Sequence, residues 1–225
     1  MVRKMSNTAQ CRDIEELNPL CQILLNKALE EIKAKDINPL VVETYRSQVR
    51  QNYLYCQGRT ITQATTKGIT TTFAKAYCNP NAQKVTWTLT SIHTQRNAVD
   101  VVPQRKVNGK MTAIWNANDS ETKKIIKIMK KYGFEAGANW TSNPDSPHFQ
   151  IKGVSVIAKS YSASNTNTYI TKMIQKALNE KINANLIVDG KWGANTTKAV
   201  NKFRSQFSWK EDGKVGVETV KKLLG

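Results

Sequence analysis

Residues 90–103, TSIHTQRNAVDVVP, place a histidine and a carboxylate in a short apolar stretch whose reading decides the fold. In residues 98–102 a period of two sets Asp100 opposite Val99 and Val101. The carboxylate can then leave the core while its neighbours stay in it. A second run, residues 140–151, WTSNPDSPHFQI, has the same character: Phe149 and Ile151 point one way and His148 the other. The chain has 2 histidines, His93 and His148, and each lies near an aspartate in one of these two runs.

Zinc in hydrolytic sites takes three nitrogen or carboxylate-oxygen ligands and keeps a fourth position open. His93, Asp100 and His148 supply such a set. Asp145, three residues before His148, is a spare carboxylate of the kind needed to move a proton from water to a leaving amine. The pattern Ser91-x-His93-x-x-Arg96-x-Ala98-x-Asp100, followed by Asp145-x-x-His148, resembles the signature of a family of zinc peptidases. That family includes the D-Ala-D-Ala dipeptidases and carboxypeptidases of the VanX and VanY type and the phage L-alanyl-D-glutamate endopeptidases. The resemblance implies that His93, Asp100 and His148 bind Zn2+ and that Asp145 is the general base. Arg96 stands where the family often has glycine. Either the connection between the ligands differs in shape there, or Arg96 faces the substrate cleft. The segment Tyr45-Arg46-Ser47, with Gln51, Leu54, Tyr55, Gly58 and Arg59 beyond it, is similar to a family segment whose arginine reaches the substrate carbonyl. By that likeness Arg46 is the oxyanion clamp. Ser91 and Trp140 are candidate substrate contacts.

The expected fold of this first part is α+β: an antiparallel sheet with flanking helices, carrying the zinc site. A helix begins at Pro19, capped by Asn18, with Leu20, Cys21, Leu24, Leu25, Ala28, Leu29 and Ile32 as its buried stripe. Residues 40–44 read as a strand, and the threonine-rich residues 61–75 as a loop leading into a short helix. Asn108-Gly109 marks a turn before a strand at 111–115. A helix over 121–132 is capped from the Asn118-Asp119-Ser120 run. Residues 1–158 are assigned to the peptidase domain.

Residues 159–168, serine-rich with Tyr161 as their large apolar residue, read as a linker. Beyond it the chain repeats itself. Asp189-Gly-Lys-Trp-Gly193 with Thr196 is echoed by Asp212-Gly-Lys-Val-Gly216 with Thr219, each copy a tight turn leading into a helix. With a helix at 169–181, residues 169–225 form a small all-α three-helix domain. It resembles the peptidoglycan-binding domains at the ends of bacterial and phage wall hydrolases.

Composition narrows the partners. The 225 residues include 34 Lys and Arg against 17 Asp and Glu, a net charge of +17, which favours an anionic partner. The basic residues are scattered and no nucleic-acid module motif is present, so a bacterial wall carrying anionic polymers fits as well as nucleic acid; the two resemblances imply bacterial peptidoglycan as the partner and no nucleic acid. No run suits membrane insertion. Met1 to Gln10 lacks an apolar h-region, so the sequence is expected to be made in the host cytoplasm without a signal peptide and to act on the wall. The 4 cysteines, Cys11, Cys21, Cys56 and Cys78, have no C-x-x-C spacing and read as reduced thiols. The whole resembles a phage endolysin cutting the L-Ala–D-Glu bond. The alternatives are a D-Ala-D-Ala carboxypeptidase and a non-catalytic wall-binding protein.

Overall fold

The computed structural model describes residues 8–151, 160–164 and 168–225. In chain order the elements are α1 (Pro19–Lys33), β1 (Pro39–Glu43), α2 (Gln48–Cys56), α3 (Ile61–Thr65), α4 (Thr71–Tyr77), β2 (Ala98–Val107), β3 (Lys110–Ala113), α5 (Ser120–Lys131), β4 (Phe134–Ala136), β5 (His148–Ile151), β6 (Ser160–Tyr161), α6 (Thr168–Ile182), α7 (Ala194–Ser205), β7 (Val215–Gly216) and α8 (Val217–Leu224).

The seven stripe residues of α1 are all buried. Pro19 occupies the first turn as expected, but Asn18 does not cap the helix with its side chain. Its amide donates instead to Asn97 Oδ1 at 2.6 Å and to the Gln95 carbonyl, fastening the start of α1 to the His93 segment. Residues 61–75 hold two helices rather than a loop and one helix. Thr60 closes a capping box with Gln63 before α3 and Thr70 caps α4, so the threonines serve as caps.

The five-stranded sheet is antiparallel, with the order β1-β2-β5-β4 and β3 paired to the far end of β2. Its register lines up the chemistry. Glu43 on β1 faces Asp100 on β2, and Asp100 faces His148 on β5, so three polar residues stand in one row across three strands. Val99, Val101, Phe149 and Ile151 are buried in one apolar cluster with α1 and α5. The sheet thus gives an apolar face to the helices and a polar row to the cleft.

In the C-terminal part, Asn185 and Ser208 both have left-handed backbone (φ 52° and 57°), as do Gly190 and Gly213 (φ 79° and 67°). The repeat seen in the sequence is therefore a repeat of backbone shape. Gln175 on α6 holds the first copy, donating to Asp189 and to the Lys191 carbonyl. Arg204 on α7 does the same for the second, reaching Asp212, the Lys214 carbonyl and Thr219.

The residues read as a linker are partly structured. Ser160 and Tyr161 pair with Gly216 and Val215, and Tyr161 is buried. The expected boundary between residues 158 and 159 lies outside the described residues. Helix α8 packs against α1 as well as α6, and the apolar cluster runs without a break from Leu20 through Tyr161 to Leu223. A shared core couples unfolding. Differential scanning calorimetry of the full chain should therefore show one cooperative transition, and two resolved transitions would show that the parts melt independently.

Candidate metal centre and its cleft

His93 lies in a single 3-10 turn, Ile92–Gln95, and not in a strand as its apolar surroundings suggest. The turn ends at Arg96, whose φ of 64° is left-handed. That backbone explains why glycine suits the position. Arg96 occupies it by turning its side chain away from the cleft, stacked 3.8 Å over the Tyr45 ring and bonded to the carbonyl and carboxylate of Glu16. It does not face the substrate cleft.

The turn delivers His93 to the polar row. His93 Nε2 lies 3.2 Å from Asp100 Oδ1 and 3.1 Å from His148 Nδ1, and His148 Nδ1 lies 3.3 Å from the same Asp100 oxygen. Each imidazole commits its other nitrogen elsewhere. His93 Nδ1 donates to the Thr44 carbonyl at 2.6 Å, and His148 Nε2 donates to Gln150 Oε1 at 3.1 Å. These bonds fix the tautomers and leave both inward nitrogens bare. Two bare nitrogens and an anionic oxygen thus converge with no donor among them, an arrangement that repels unless a cation sits at its centre. Tetrahedral ligands ~2.0–2.2 Å from a common ion lie roughly 3.3–3.6 Å apart, close to the triangle observed. The donor set fits zinc.

The support reaches further out. Gln150 donates to Glu135 at 3.3 Å, and Glu135 accepts from Trp140 Nε1 at 3.3 Å. Trp140 in turn sets its ring 5.1 Å from that of His148. Trp140 is therefore half-buried beside a ligand, while Trp115 is exposed.

Asp145 stands at the cleft rim, and its carboxylate makes no hydrogen bond among the described residues. Burial of the carboxyl and the nearby charge of Asp100 raise its pKa above the ordinary value. Its backbone is fixed: Asp145 N donates to the Gly137 carbonyl at 3.0 Å, and His148 N donates to the Asp145 carbonyl at 3.2 Å. A Cβ on Gly137 would come within 2.5 Å of that Asp145 oxygen and 3.1 Å of His148 Cβ. Gly137→Ala must therefore displace a ligand and the spare acid together. A loss of about 10-fold or more in turnover is expected, since misplacement by ~1 Å can cost 10²-fold. Kinetics indistinguishable from those of the parent would show that the backbone there relaxes freely.

Arg46 lines the cleft but is heavily engaged. It donates to Glu43 through Nε at 3.0 Å and Nη2 at 2.5 Å and to Gln51 at 3.0 Å, and its Nη2 lies 3.5 Å from Asp100 Oδ2. With five N–H groups on a guanidinium, at most one is left for a substrate. Glu43, which also pairs with Arg50 at 3.1 Å, is a buried acid that sequence reasoning missed. Its signal was a lone charge ending the apolar run of β1. Gln150 was also missed, although it shares a strand face with His148 two residues away. Ser91 lines the cleft and uses its hydroxyl to accept from His93 N at 3.3 Å, capping the ligand turn.

The cleft has a volume of about 760 Å³ and holds His93, Asp100, His148, Asp145, Arg46 and Ser91, with Trp140 and Trp87 on its walls. The wall carrying Trp87 is an irregular segment pinned from α2 and its end. Gln48 donates to the Leu89 carbonyl at 2.9 Å, Gln51 to that of Thr88 at 2.7 Å and Arg59 to that of Thr86 at 2.8 Å. Gln51 and Arg59 are buried polar groups with partners that account for them.

A triangle that fits a metal, beside a free acid in a large cleft, is an arrangement that hydrolytic metal chemistry uses. Residues 84–151, which contain the triangle and Asp145, match the family model of D-alanyl-D-alanine carboxypeptidase, and residues 170–223 match that of a peptidoglycan binding domain. The chain thus joins a stretch similar to this peptidase family to a C-terminal stretch similar to a peptidoglycan binding domain. Arg46 lies outside the matched residues. Among solved structures, the chain is similar to the L-Ala D-Glu endopeptidase ChiX of Serratia marcescens, at 18% identity and a TM-score of 0.41, over 68% of this chain and 96% of that one. It is also similar to a variant of the vancomycin-resistance D,D-pentapeptidase VanY in complex with Zn(II), at 17% identity and a TM-score of 0.36, over 62% and 72% of the two chains. A third is VanYB in complex with D-alanine-D-alanine, at 16% identity and a TM-score of 0.39, over 68% and 81%. Among the described residues, no helix is long and apolar enough to cross a membrane.

Proposed function

We propose that the chain is a zinc-dependent peptidoglycan endopeptidase that cuts the L-Ala–D-Glu bond of the stem peptide, held on the wall by residues 169–225, and that it serves as an endolysin. The observation that carries the hydrolytic reading is the free Asp145 carboxylate beside three converging acceptors. His93, Asp100 and His148 would hold the ion. When bound, zinc supplies Lewis acidity, which brings the pKa of water toward ~7 and polarises a carbonyl. Asp145 takes the proton from the attacking water and later delivers it to the leaving amine nitrogen, a dual role open to a carboxylate with no hydrogen-bond partner among the described residues. Arg46, anchored by Glu43 and Gln51, turns its remaining N–H toward the carbonyl oxygen as negative charge develops there. Trp140 and Ser91 line the path of the peptide.

The choice of bond rests on architecture. A wall-binding domain keeps the enzyme on the polymer, and a cut between L-Ala and D-Glu frees the stem peptide from the glycan. Trimming a terminal D-alanine leaves the mesh joined. The second reading, a D-Ala-D-Ala carboxypeptidase, is favoured by the description of the matched model. It is also favoured by Lys84, a cation in the cleft wall with no carboxylate partner among the described residues, which suits a terminal carboxylate. Mass spectrometry of fragments released from purified peptidoglycan separates the two. New amino-terminal D-Glu is expected, with L-Ala left on the muramyl side. Release of free D-Ala without such termini would establish the carboxypeptidase.

A further inference from the structure

Away from the metal, the ends of α2 and α4 meet. Gln57 and Asn79 form a parallel bridge, closed by Gly58 N donating to the Asn79 carbonyl at 2.8 Å and Asn79 N donating to the Cys56 carbonyl at 3.3 Å. The residues just before the two bridge partners are Cys56 and Cys78. A parallel bridge holds backbones ~4.8 Å apart and puts residues at equivalent positions on the same side. That separation falls inside the Cα window of a disulfide, roughly 4.4–6.8 Å. Cys56 and Cys78, at equivalent positions one residue before the bridge, therefore have neighbouring side chains. Both belong to the small apolar cluster of Tyr55, Ala64, Ile69 and Ala74, with Cys56 fully buried and Cys78 partly exposed.

We propose that Cys56 and Cys78 are a disulfide site, closed when the protein leaves a reducing compartment. Cys11 and Cys21 are buried elsewhere, Cys11 accepting a hydrogen bond from Thr44, and take no part. The chemistry is thiol–disulfide exchange with a small-molecule disulfide such as oxidised glutathione. The partly exposed Cys78, as thiolate, attacks one glutathione sulfur, forming a mixed disulfide and releasing one glutathione thiolate. Cys56 then loses its proton and attacks Cys78 Sγ, forming the protein disulfide and releasing the second glutathione. Two protein thiols are oxidised, one glutathione disulfide is reduced, and the two protons end on the released thiols. Burial and the neighbouring thiol push the Cys56 pKa up to about 12, so the second step is the slow one.

The bridge would close a loop containing α3 and α4 and lock the junction at Gly58 and Arg59. A Cβ on Gly58 would lie 2.8 Å from Lys84 N, and Arg59 holds the Thr86 carbonyl, so the disulfide stiffens the base of the Trp87 wall.

The test is incubation of the folded full chain with excess oxidised glutathione, then thiol counting after denaturation and peptide mapping without reductant. Free thiols should fall from 4 to 2, with the mass 2 Da lower and the peptides bearing Cys56 and Cys78 linked. The melting temperature should rise by roughly 5–10 °C and return on reduction. In Cys78→Ser the rise should vanish while the reduced melting temperature stays near that of the parent. Four thiols persisting in the wild-type chain, a glutathione adduct remaining on Cys78, or a different linked pair would each overturn the proposal. The wild-type mapping decides even if the variant fails to fold.

Discussion

The variant His148→Ala is expected to lose stoichiometric zinc and to lower turnover by on the order of 10³-fold or more. An ion supplying several kcal/mol of charge stabilisation corresponds to that range at about 1.4 kcal/mol per factor of ten. His148 is the ligand with the most support around it. Its backbone is set by the register Asp100↔His148, its Nε2 by Gln150, its ring by Trp140, and its turn by the close approach at Gly137. Removing the imidazole leaves His93 and Asp100 in place, because His93 is held by the Thr44 carbonyl from the opposite side. The two remaining ligands make a site of much lower affinity, and far-ultraviolet circular dichroism should be unchanged. Metal analysis after dialysis, read beside the turnover number, checks this. Full zinc occupancy in the variant would remove His148 from the ligand set, and lost metal with full turnover would remove zinc from the reaction.

The sequence made the alternating strands legible because each chemical residue in them stood against apolar neighbours. Val99 and Val101 beside Asp100, and Phe149 and Ile151 beside His148, declare which face meets the core. The stripe of α1 was legible for the same reason, and so was the tail repeat, whose Asp-Gly turns require left-handed backbone at the same step in each copy. What was hidden depends on distant partners. His93 sits in a 3-10 turn because Ser91 caps it and Asn18, from the start of α1, is tied beside it. The Ser91 cap is local, but the Asn18 contact comes from 77 residues away and does not follow from local pattern. Glu43 and Arg46 form a pair three residues apart, yet the value of that pair lies in the register that sets Glu43 opposite Asp100. Serine-rich composition made residues 159–168 look like a tether, whereas the burial of Tyr161 and its pairing with Val215 come from a strand more than fifty residues later. Asn18 misled for a related reason. Its amide NH2 donates to Asn97 Oδ1 and the Gln95 carbonyl, and the side chain so held does not bring its own oxygen to the free N–H groups of its helix.

Asp145→Asn is expected to separate chemistry from metal binding: zinc retained at one per chain, KM near that of the parent, and turnover lower by roughly 10²–10⁴-fold, the range of a positioned general base. Asparagine keeps the size of the side chain and the backbone bonds that Asp145 makes with Gly137 and His148, so the ligand turn is left as it was. What is lost is the ability to take up a proton and return it. The carboxylate is suited to that work because it is held apart from the ion pairs around it. Glu43 is consumed by Arg46 and Arg50, Asp100 is enclosed by two imidazoles, and Asp145 alone of the three has no hydrogen-bond partner among the described residues. The rival role for Asp145 is that of a fourth ligand, and the two roles differ in their readouts. A ligand's loss weakens zinc retention during dialysis, whereas a base's loss leaves retention unchanged and depresses turnover alone. Asp145→Asn with native turnover and native zinc would leave the reaction without its proton carrier in this cleft, because the other two carboxylates are already committed to cations and ligands.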